Sequence, residues 1–280
     1  MMRAIAATVF TVGLVLGCGE PALLRQTRKE RLVEEMRSAV LASAVAEKGA
    51  VMAVTDDDSR ALAVDSRASS ETVDRKSAEL RTLVDADGRE PEVAKLAAFD
   101  SVWLELQRID RRLLDLATQN TNLKAAGLFS REGREVIIRF VEKLAAIAKE
   151  TEDPAKLRTI AGCQVSALRS LAAVLIHIPS SEDAEMSKLE STIAARNEEV
   201  DRGLATLRSD ERLPREEIAE VSKDWSDYLA IAEQGLKLSR ENSNVVSRDV
   251  SLNDKPRALK KVLLALDELQ AVTGSPKPSR

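Results

Sequence analysis

The sequence is poor in the residues that break or stiffen a chain. Its 280 residues include 11 Gly, 8 Pro and 2 Cys, and aromatic residues make up 2%. Glycine and proline together are about half as common as in average proteins, which excludes a collagen, a disordered linker and a turn-rich β-sandwich. Hydrophobic residues, in contrast, make up 44% and charged residues 31%. This composition predicts an all-α protein built from helical bundles.

Residues suited to catalysis or metal binding are also scarce. His177 is the only histidine, and the residue three positions before it is Val174 rather than the Glu of di-iron bundles. No Gly-rich phosphate loop and no nucleophile elbow occurs. Carboxylates are the one remaining type of side chain that could support catalysis. The acidic run Asp56-Asp57-Asp58 after Thr55 lacks the spacing of a calcium-binding loop. We therefore predict a non-enzymatic protein with no catalytic residue, metal or cofactor.

Two reactive side chains have structural interpretations. Cys163 lies among apolar residues, which predicts a buried thiol; the alternative is a redox-active or dimer-linking cysteine. His177 lies near the predicted end of a helix, where we expect it to pair with the terminal carbonyl groups.

The N-terminus has the pattern of an export signal. Arg3 is followed by an uncharged, mostly apolar run over residues 4–17, which is too short to span a bilayer comfortably. The end of the run, Val15-Leu16-Gly17-Cys18, resembles a bacterial lipobox. That resemblance implies a signal peptide over 1–17 and lipidation of Cys18. The alternatives are a plain secretory signal with an incidental cysteine, or an uncleaved anchor helix.

Lipidation of Cys18 would tether the protein to a membrane, because each buried CH₂ group contributes about 0.8 kcal/mol. Gly19 stands where an Asp would resemble the retention signal of the inner membrane, which favours the outer membrane facing the periplasm. Loss of Arg3 makes the net charge more negative than −4. Neither nucleic acid nor an anionic lipid surface is therefore an expected partner. We also expect no membrane-spanning segment after Gly17.

Long segments between prolines carry apolar residues three and four positions apart, which is typical of helices with one apolar face. The pattern predicts helices over 22–54, 57–84, 92–127, 132–150, 155–178, 182–208, 214–248 and 256–272.

The chain repeats itself internally. Trp103 and Trp225 are 122 positions apart, and several other identities share this offset. Val73-Asp74-Arg75 recurs as Val200-Asp201-Arg202 at an offset of 127. The repeat predicts two antiparallel four-helix-bundle units in tandem. The first covers 18–151, the second 152–272, and a disordered tail covers 273–280.

Matched residues in the two copies have predicted roles. Trp103 and Trp225 are expected to be large core anchors. The pairs Asn120/Asn122 and Asn242/Asn244 match as well, and we expect at most one of each pair to face the core, because residues two apart lie on different helix faces. Thr55-x-x-Asp58, Ser180-x-x-Asp183 and Asp153-Pro154 predict helix starts.

Several stretches are similar to a known family. Residues 46–52, Trp103 and residues 116–122, and then Ser130-Arg131-Glu132-Gly133, resemble the four-helix-bundle ligand-binding domain of methyl-accepting chemotaxis receptors. The resemblance implies a sensor-like module outside the membrane that binds a small ligand or a protein partner. Those receptors also have a second membrane helix and a cytoplasmic signalling coiled coil, for which we find no counterpart. No ligand-contact motif carries over, so the ligand-binding residues stay unknown.

The predicted fourth helix, 132–150, is much shorter than the predicted third helix, 92–127. Either the short helix leaves a groove, or residues 132–178 form one long, kinked helix that both units share. The second arrangement resembles the helical bimodular sensor domains, which are two stacked bundles. Two functions remain open: a tethered sensor-like module for a ligand or partner, and a scaffolding envelope lipoprotein without a small ligand.

Overall fold

The computed structural model describes residues 22–274, and every regular element in that range is helical, which confirms the predicted all-α helical-bundle class. The α-helices are α1 Ala22–Met52, α2 Asp56–Asp87, α3 Glu90–Gln119, α4 Thr121–Leu128, α5 Arg134–Lys149, α6 Pro154–His177, α7 Asp183–Arg208, α8 Arg215–Glu241 and α9 Ser243–Thr273. A π-helical turn, Phe129–Gly133, joins α4 to α5. Cys18 and most of the predicted tail lie outside the described residues.

The helices form two four-helix bundles. Bundle A consists of α1, α2, α3 and α9, and bundle B consists of α4–α5 together with α6, α7 and α8. The core of bundle A includes Leu32, Phe99, Trp103, Val262 and Leu266. The core of bundle B includes Phe129, Phe140, Ile160, Val200 and Trp225. Each large apolar side chain in these cores contributes about 1.5–3 kcal/mol by leaving water.

The predicted boundary between residues 151 and 152 does not separate these cores. Helix α9 comes from the second copy of the repeat but packs in bundle A, whereas α4–α5 come from the first copy and pack in bundle B. The reason is that two long segments, 90–149 and 215–273, run through both bundles. Residues 132–178 are not one helix, because the chain breaks at Asp153-Pro154.

Helix starts agree with the sequence in two of three cases. The Thr55 Oγ1 atom accepts a hydrogen bond from the Asp58 amide (3.1 Å), and the Asp153 side chain accepts one from the Ala155 amide (2.9 Å). The prediction for Ser180 is wrong. Helix α7 begins at Asp183, and the Ser180 hydroxyl donates instead to the Glu185 carboxylate (2.8 Å).

Pro256 lies inside α9, so the predicted break between residues 248 and 256 is wrong. A proline removes one helical hydrogen bond and crowds the preceding turn. The neighbouring residues Lys255 and Ala258 are buried in bundle A, and their packing holds the helix together across the proline.

The two bundles meet at a waist, defined here as Asn120-Thr121-Asn122 and Asn242-Ser243-Asn244. Asn120 and Asn242 interrupt the long segments in the left-handed conformation, with φ of 53° and 54°. Asparagine adopts this conformation more readily than most residues. Because the helix is interrupted there, residues two apart no longer point to opposite faces.

The two strips of the waist pair with each other almost symmetrically. The backbone N–H of Asn122 donates to the side-chain oxygen of Asn244, and the backbone N–H of Asn244 donates to the side-chain oxygen of Asn122, both at 3.1 Å. The Asn122 side-chain nitrogen also donates to Asn242 (2.9 Å), and that of Asn244 donates to Asn120 (2.9 Å). Both residues of each pair therefore face the waist, which corrects the prediction that only one would be inward.

The repeat is also visible in the contacts. The Trp103 indole donates to the Asp74 carboxylate (2.6 Å), and the Trp225 indole donates to the Asp201 carboxylate (2.8 Å). Both tryptophans are buried, as predicted for core anchors. The offset of 127 between the aspartates and of 122 between the tryptophans therefore relates equivalent positions of bundles A and B.

Candidate functional site

A cleft of about 440 Å³ lies between α2 and α3 in bundle A, here called the α2–α3 cleft. All of its lining residues except Leu114 are polar or charged, although their aliphatic stems also form part of the wall. The lining residues are Arg67, Ser70, Glu71, Asp74, Gln107, Asp110, Arg111 and Leu114.

Some of these groups are already held by neighbours. The Asp74 carboxylate accepts hydrogen bonds from the Trp103 indole and from the Gln107 side chain (3.0 and 3.1 Å). Arg67 pairs with Asp115 at 3.1 Å, an exposed contact worth little. Glu71 is exposed at the rim and available to a ligand.

Asp110 of the cleft wall meets two other buried charged side chains, and we call the three the charge cluster. Glu47 on α1, Asp110 on α3 and Lys255 on α9 are 0%, 5% and 2% exposed. The Lys255 ammonium donates to Asp110 Oδ1, and its Nζ atom lies 3.4 Å from Glu47 Oε2. Asp110 belongs both to this cluster and to the wall of the cleft.

The charge cluster is not balanced, since two carboxylates share one ammonium. Asp110 Oδ2 and the two Glu47 oxygens accept no well-aligned hydrogen bond, although Ser251 and Lys255 lie close enough to Glu47 to act against the rise in its pKa. Burial raises the pKa of Glu47 and of Asp110, and in each case it outweighs the opposing effect of Lys255. The cluster therefore holds either an extra proton or an excess negative charge, and a cation could neutralise it.

Another buried lysine in bundle A shows what a balanced site looks like. The Lys29 ammonium contacts Asp87 at 2.6 Å and Glu92 at 2.5 Å. Arg25 and Arg89 also pair with these carboxylates, at 3.4 and 2.6 Å. Each of these carboxylates thus has enough cations, unlike the two carboxylates of the charge cluster.

Bundle B does not repeat the charge cluster. The positions equivalent to Glu47, Asp110 and Lys255 are Val174, Ala232 and Gly133. The ring of Phe129 fills this level, and it packs so closely that a Cβ atom on Gly133 would lie 2.8 Å from it. The shared architecture can therefore be built without buried charge.

Bundle B has its own buried ionisable group in His177. Its Nδ1 atom is 2.8 Å from the Ser239 hydroxyl and its Nε2 atom is 3.1 Å from the Glu190 carboxylate. Arg240 also pairs with Glu190, at 2.6 Å. The prediction that the ring pairs with the terminal carbonyl groups of α6 is wrong. Its partners come from α7 and α8, because these helices pack against the end of α6. Burial lowers the pKa of His177, despite Glu190.

The remaining candidates do not form a reactive centre. Cys163 is a buried free thiol, as predicted, and burial raises its pKa to about 11. Within residues 22–274, no group of three or more His, Cys, Asp or Glu side chains is placed to hold a metal ion. A larger hollow of about 600 Å³ lies on α1 and α2, but its Lys76 and Glu35 already pair at 2.8 Å.

The chain matches no protein-family model and no curated protein. In the described range, α6 is long and apolar enough to cross a membrane by length and composition. An apolar stretch of this length after Gly17 is not among the features predicted from the sequence. The inward face of α6 carries core residues of bundle B, including Ile160, Cys163 and Val174.

Proposed function

We propose that this protein is a non-enzymatic, sensor-like binding module that holds a small polar ligand in the α2–α3 cleft. The observation that carries the proposal is the charge cluster, in which Asp110 of the cleft wall shares one ammonium with a second buried carboxylate. Such a site is costly unless a further partner balances its charge. The resemblance to chemoreceptor ligand-binding domains supports the same class of function.

The helix connections offer a route by which ligand binding in bundle A could change the packing of bundle B. The charge cluster joins α1, α3 and α9, so a ligand that changes its charge would change how these helices pack. Helices α3 and α9 continue across the waist into α4 and α8. A shift in bundle A would therefore be transmitted to bundle B along two helical segments, and the module could pass the change to a partner protein.

Thermal unfolding with a panel of small polar molecules tests the ligand proposal. A ligand that binds only the folded state stabilises it and so raises the melting temperature. At a ligand concentration of a hundred times the dissociation constant, the free energy of unfolding increases by about 2.7 kcal/mol. Glu71→Trp would block the rim of the cleft. Glu198→Trp, at the equivalent exposed position of bundle B, is the matched control. We expect at least one compound to stabilise wild type and Glu198→Trp but not Glu71→Trp.

A thorough panel without any stabilising compound would contradict the proposal and favour the alternative, a scaffolding envelope lipoprotein. The exposed apolar residues of α6 are the observation that favours such a scaffold. Crosslinking in intact cells should then capture a fixed protein partner.

We also propose that the module is tethered through acylated Cys18 to the outer membrane, facing the periplasm. The lipobox-like residues Val15-Leu16-Gly17-Cys18 support this proposal. Labelling cells with a fatty-acid probe should mark wild type but not Cys18→Ser. A native protein found in the cytosol with its leader intact would disprove the tether without touching the ligand proposal.

A further inference from the structure

The outer face of α6 is apolar and open to solvent. We define the α6 face as the exposed residues of this helix between 157 and 176. Its large members are Leu157, Val165, Leu168, Leu175 and Ile176, which are 37–55% exposed. The smaller residues Ala161, Gly162 and Ala172 lie between them, and the charged residues on the face are Arg158 and Arg169. Contiguous apolar patches of this kind mark interaction sites.

The same face of bundle A is interrupted by charged and polar residues, so the architecture does not require a continuous apolar one. At the offset of 127, the α6 face corresponds to residues 30–49 of α1. That stretch exposes Arg31, Glu34 and Lys48 among its residues. Leu41 and Val45, the counterparts of Leu168 and Ala172, are 44% and 73% exposed. The counterparts of Leu157, Ala161 and Val165, however, are Glu30, Glu34 and Ser38, so the apolar stripe does not continue.

Six of the apolar positions on the α6 face are symmetric about the middle of the helix, whereas Leu175 mirrors Arg158. Residues 157, 161, 165, 168, 172 and 176 are separated by 4, 4, 3, 4 and 4 positions, which reads the same in both directions. An antiparallel copy centred on this point therefore places Leu157 against Ile176, Ala161 against Ala172, and Val165 against Leu168. A two-fold interface requires this kind of self-complementarity.

We propose that the α6 face binds the α6 face of a second copy of this chain, with the two helices antiparallel around a two-fold axis near residues 166 and 167. In this arrangement Arg158 faces Leu175 of the other copy and Arg169 faces Gln164, so the like charges do not oppose each other. The small residues Gly162 and Ala172 allow close approach of the two backbones.

A lipid surface fits the face less well than a second copy does. Helices that lie in a membrane interface carry aromatic residues such as Trp or Phe on the apolar face, with lysine and arginine along the polar face. The α6 face has no aromatic residue, and its two arginines lie on one side of the apolar stripe.

The mass of the full chain in solution tests the pairing. We expect a concentration-dependent dimer, and Leu168→Glu should raise the dimer dissociation constant by about tenfold or more, because it buries a charge at the centre of the interface. Leu41→Glu, at the matched position of bundle A, should change the constant by less than about twofold. Both residues are about half exposed, so both variants should keep wild-type helicity. A wild-type monomer at tens of micromolar would overturn the proposal.

Thiol crosslinking tests the direction of the helices. In a Cys18→Ser background, Leu157→Cys and Ile176→Cys should each form little disulfide alone, since identical positions would lie about 28 Å apart along the axis. A mixture of the two variants should form a crosslinked dimer, because these positions face each other. Efficient crosslinking of Leu157→Cys alone would indicate parallel helices and overturn the proposal. So would a dimer that is unaffected by Leu168→Glu, or vesicle binding that Leu168→Glu abolishes while the protein stays monomeric.

Discussion

Bundles A and B share one helical plan but bury different chemistry at the same level. In bundle A, the charged side chains of Glu47, Asp110 and Lys255 meet in the core. In bundle B, the ring of Phe129 fills the equivalent level. The same helical arrangement therefore accepts either buried charged groups or an aromatic ring at this level of the core. A buried ion pair is often no more stabilising than apolar side chains of similar volume. The charge cluster therefore calls for an explanation other than stability, and the proposed ligand supplies one.

The largest expected effect comes from removing the one cation of the charge cluster. Lys255→Met leaves two buried carboxylates without an ion-pair partner and should cost about 3–5 kcal/mol in the free energy of unfolding. Urea denaturation measures this cost. Lys261→Met on the same helix removes an exposed pair with Glu105 and should cost less than about 1 kcal/mol.

The same cluster can be converted to the apolar chemistry of bundle B. The triple variant Glu47→Val, Asp110→Ala and Lys255→Met should be more stable than Lys255→Met alone, because no unpaired charge stays buried. A triple variant as unstable as the single one would show that bundle A cannot accept the apolar solution.

The next effect concerns the tight packing in bundle B. A Cβ atom on Gly235 would lie 2.1 Å from the buried ring of Phe129, so Gly235→Ala should cost about 1–3 kcal/mol. Gly127→Ala is the control, because its Cβ atom would make only an ordinary contact of 3.5 Å with the end of the Arg131 side chain, and it should stabilise the helix by about 0.5–1 kcal/mol. Thermal unfolding distinguishes the two signs. Equal effects would mean that the ring of Phe129 moves aside freely.

The waist offers a smaller, graded comparison. Asn122 is buried and donates to the Ile178 carbonyl (2.7 Å) as well as to Asn242 (2.9 Å), whereas Asn244 is only half-buried. Asn122→Ala should therefore cost about 2 kcal/mol and Asn244→Ala about 1 kcal/mol. Chemical denaturation of both variants measures the difference, and a reversed order would contradict the assigned hydrogen bonds.

The smallest expected effect is a pH dependence of opposite sign in the two bundles. Burial lowers the pKa of His177 below its usual 6.5, so the unfolded chain binds this proton more readily, and stability should fall as the pH drops through that range. Burial raises the pKa of Glu47 above its usual 4.5. Its contribution is therefore full at low pH and is lost as the pH rises through the raised value.

Unfolding free energies at several pH values separate these two contributions. Replacing His177 with Gln should remove part of the stability lost on acidification, although Glu190 and Arg240 still surround the site. Replacing Glu47 with Gln should remove part of the stability lost on alkalinisation. Identical pH profiles for wild type and both variants would contradict the assigned pKa directions.

Periodicity predicted the helices well, because apolar residues three and four apart define a buried face in any bundle. It failed at Pro256, where tertiary packing keeps a helix intact that local rules would end. It also failed at Asn120 and Asn242, which interrupt the predicted helices 92–127 and 214–248. The charge cluster was missed, because Glu47, Asp110 and Lys255 are distant in sequence and come together only when α9 packs against α1 and α3. The one available signal was that charged residues occupy positions whose counterparts, Val174 and Ala232, are apolar.

The sequence by itself determined the all-α class, the internal repeat and the two tryptophan anchors, since these follow from composition, spacing and identity along the chain. Only the tertiary structure decided which helix joins which bundle. Two four-helix cores can be closed either by each copy using its own last helix or by exchanging the last helices, and both choices bury the same apolar faces. The asparagines of the waist keep the long segments running onward, and that continuity places α9 in bundle A.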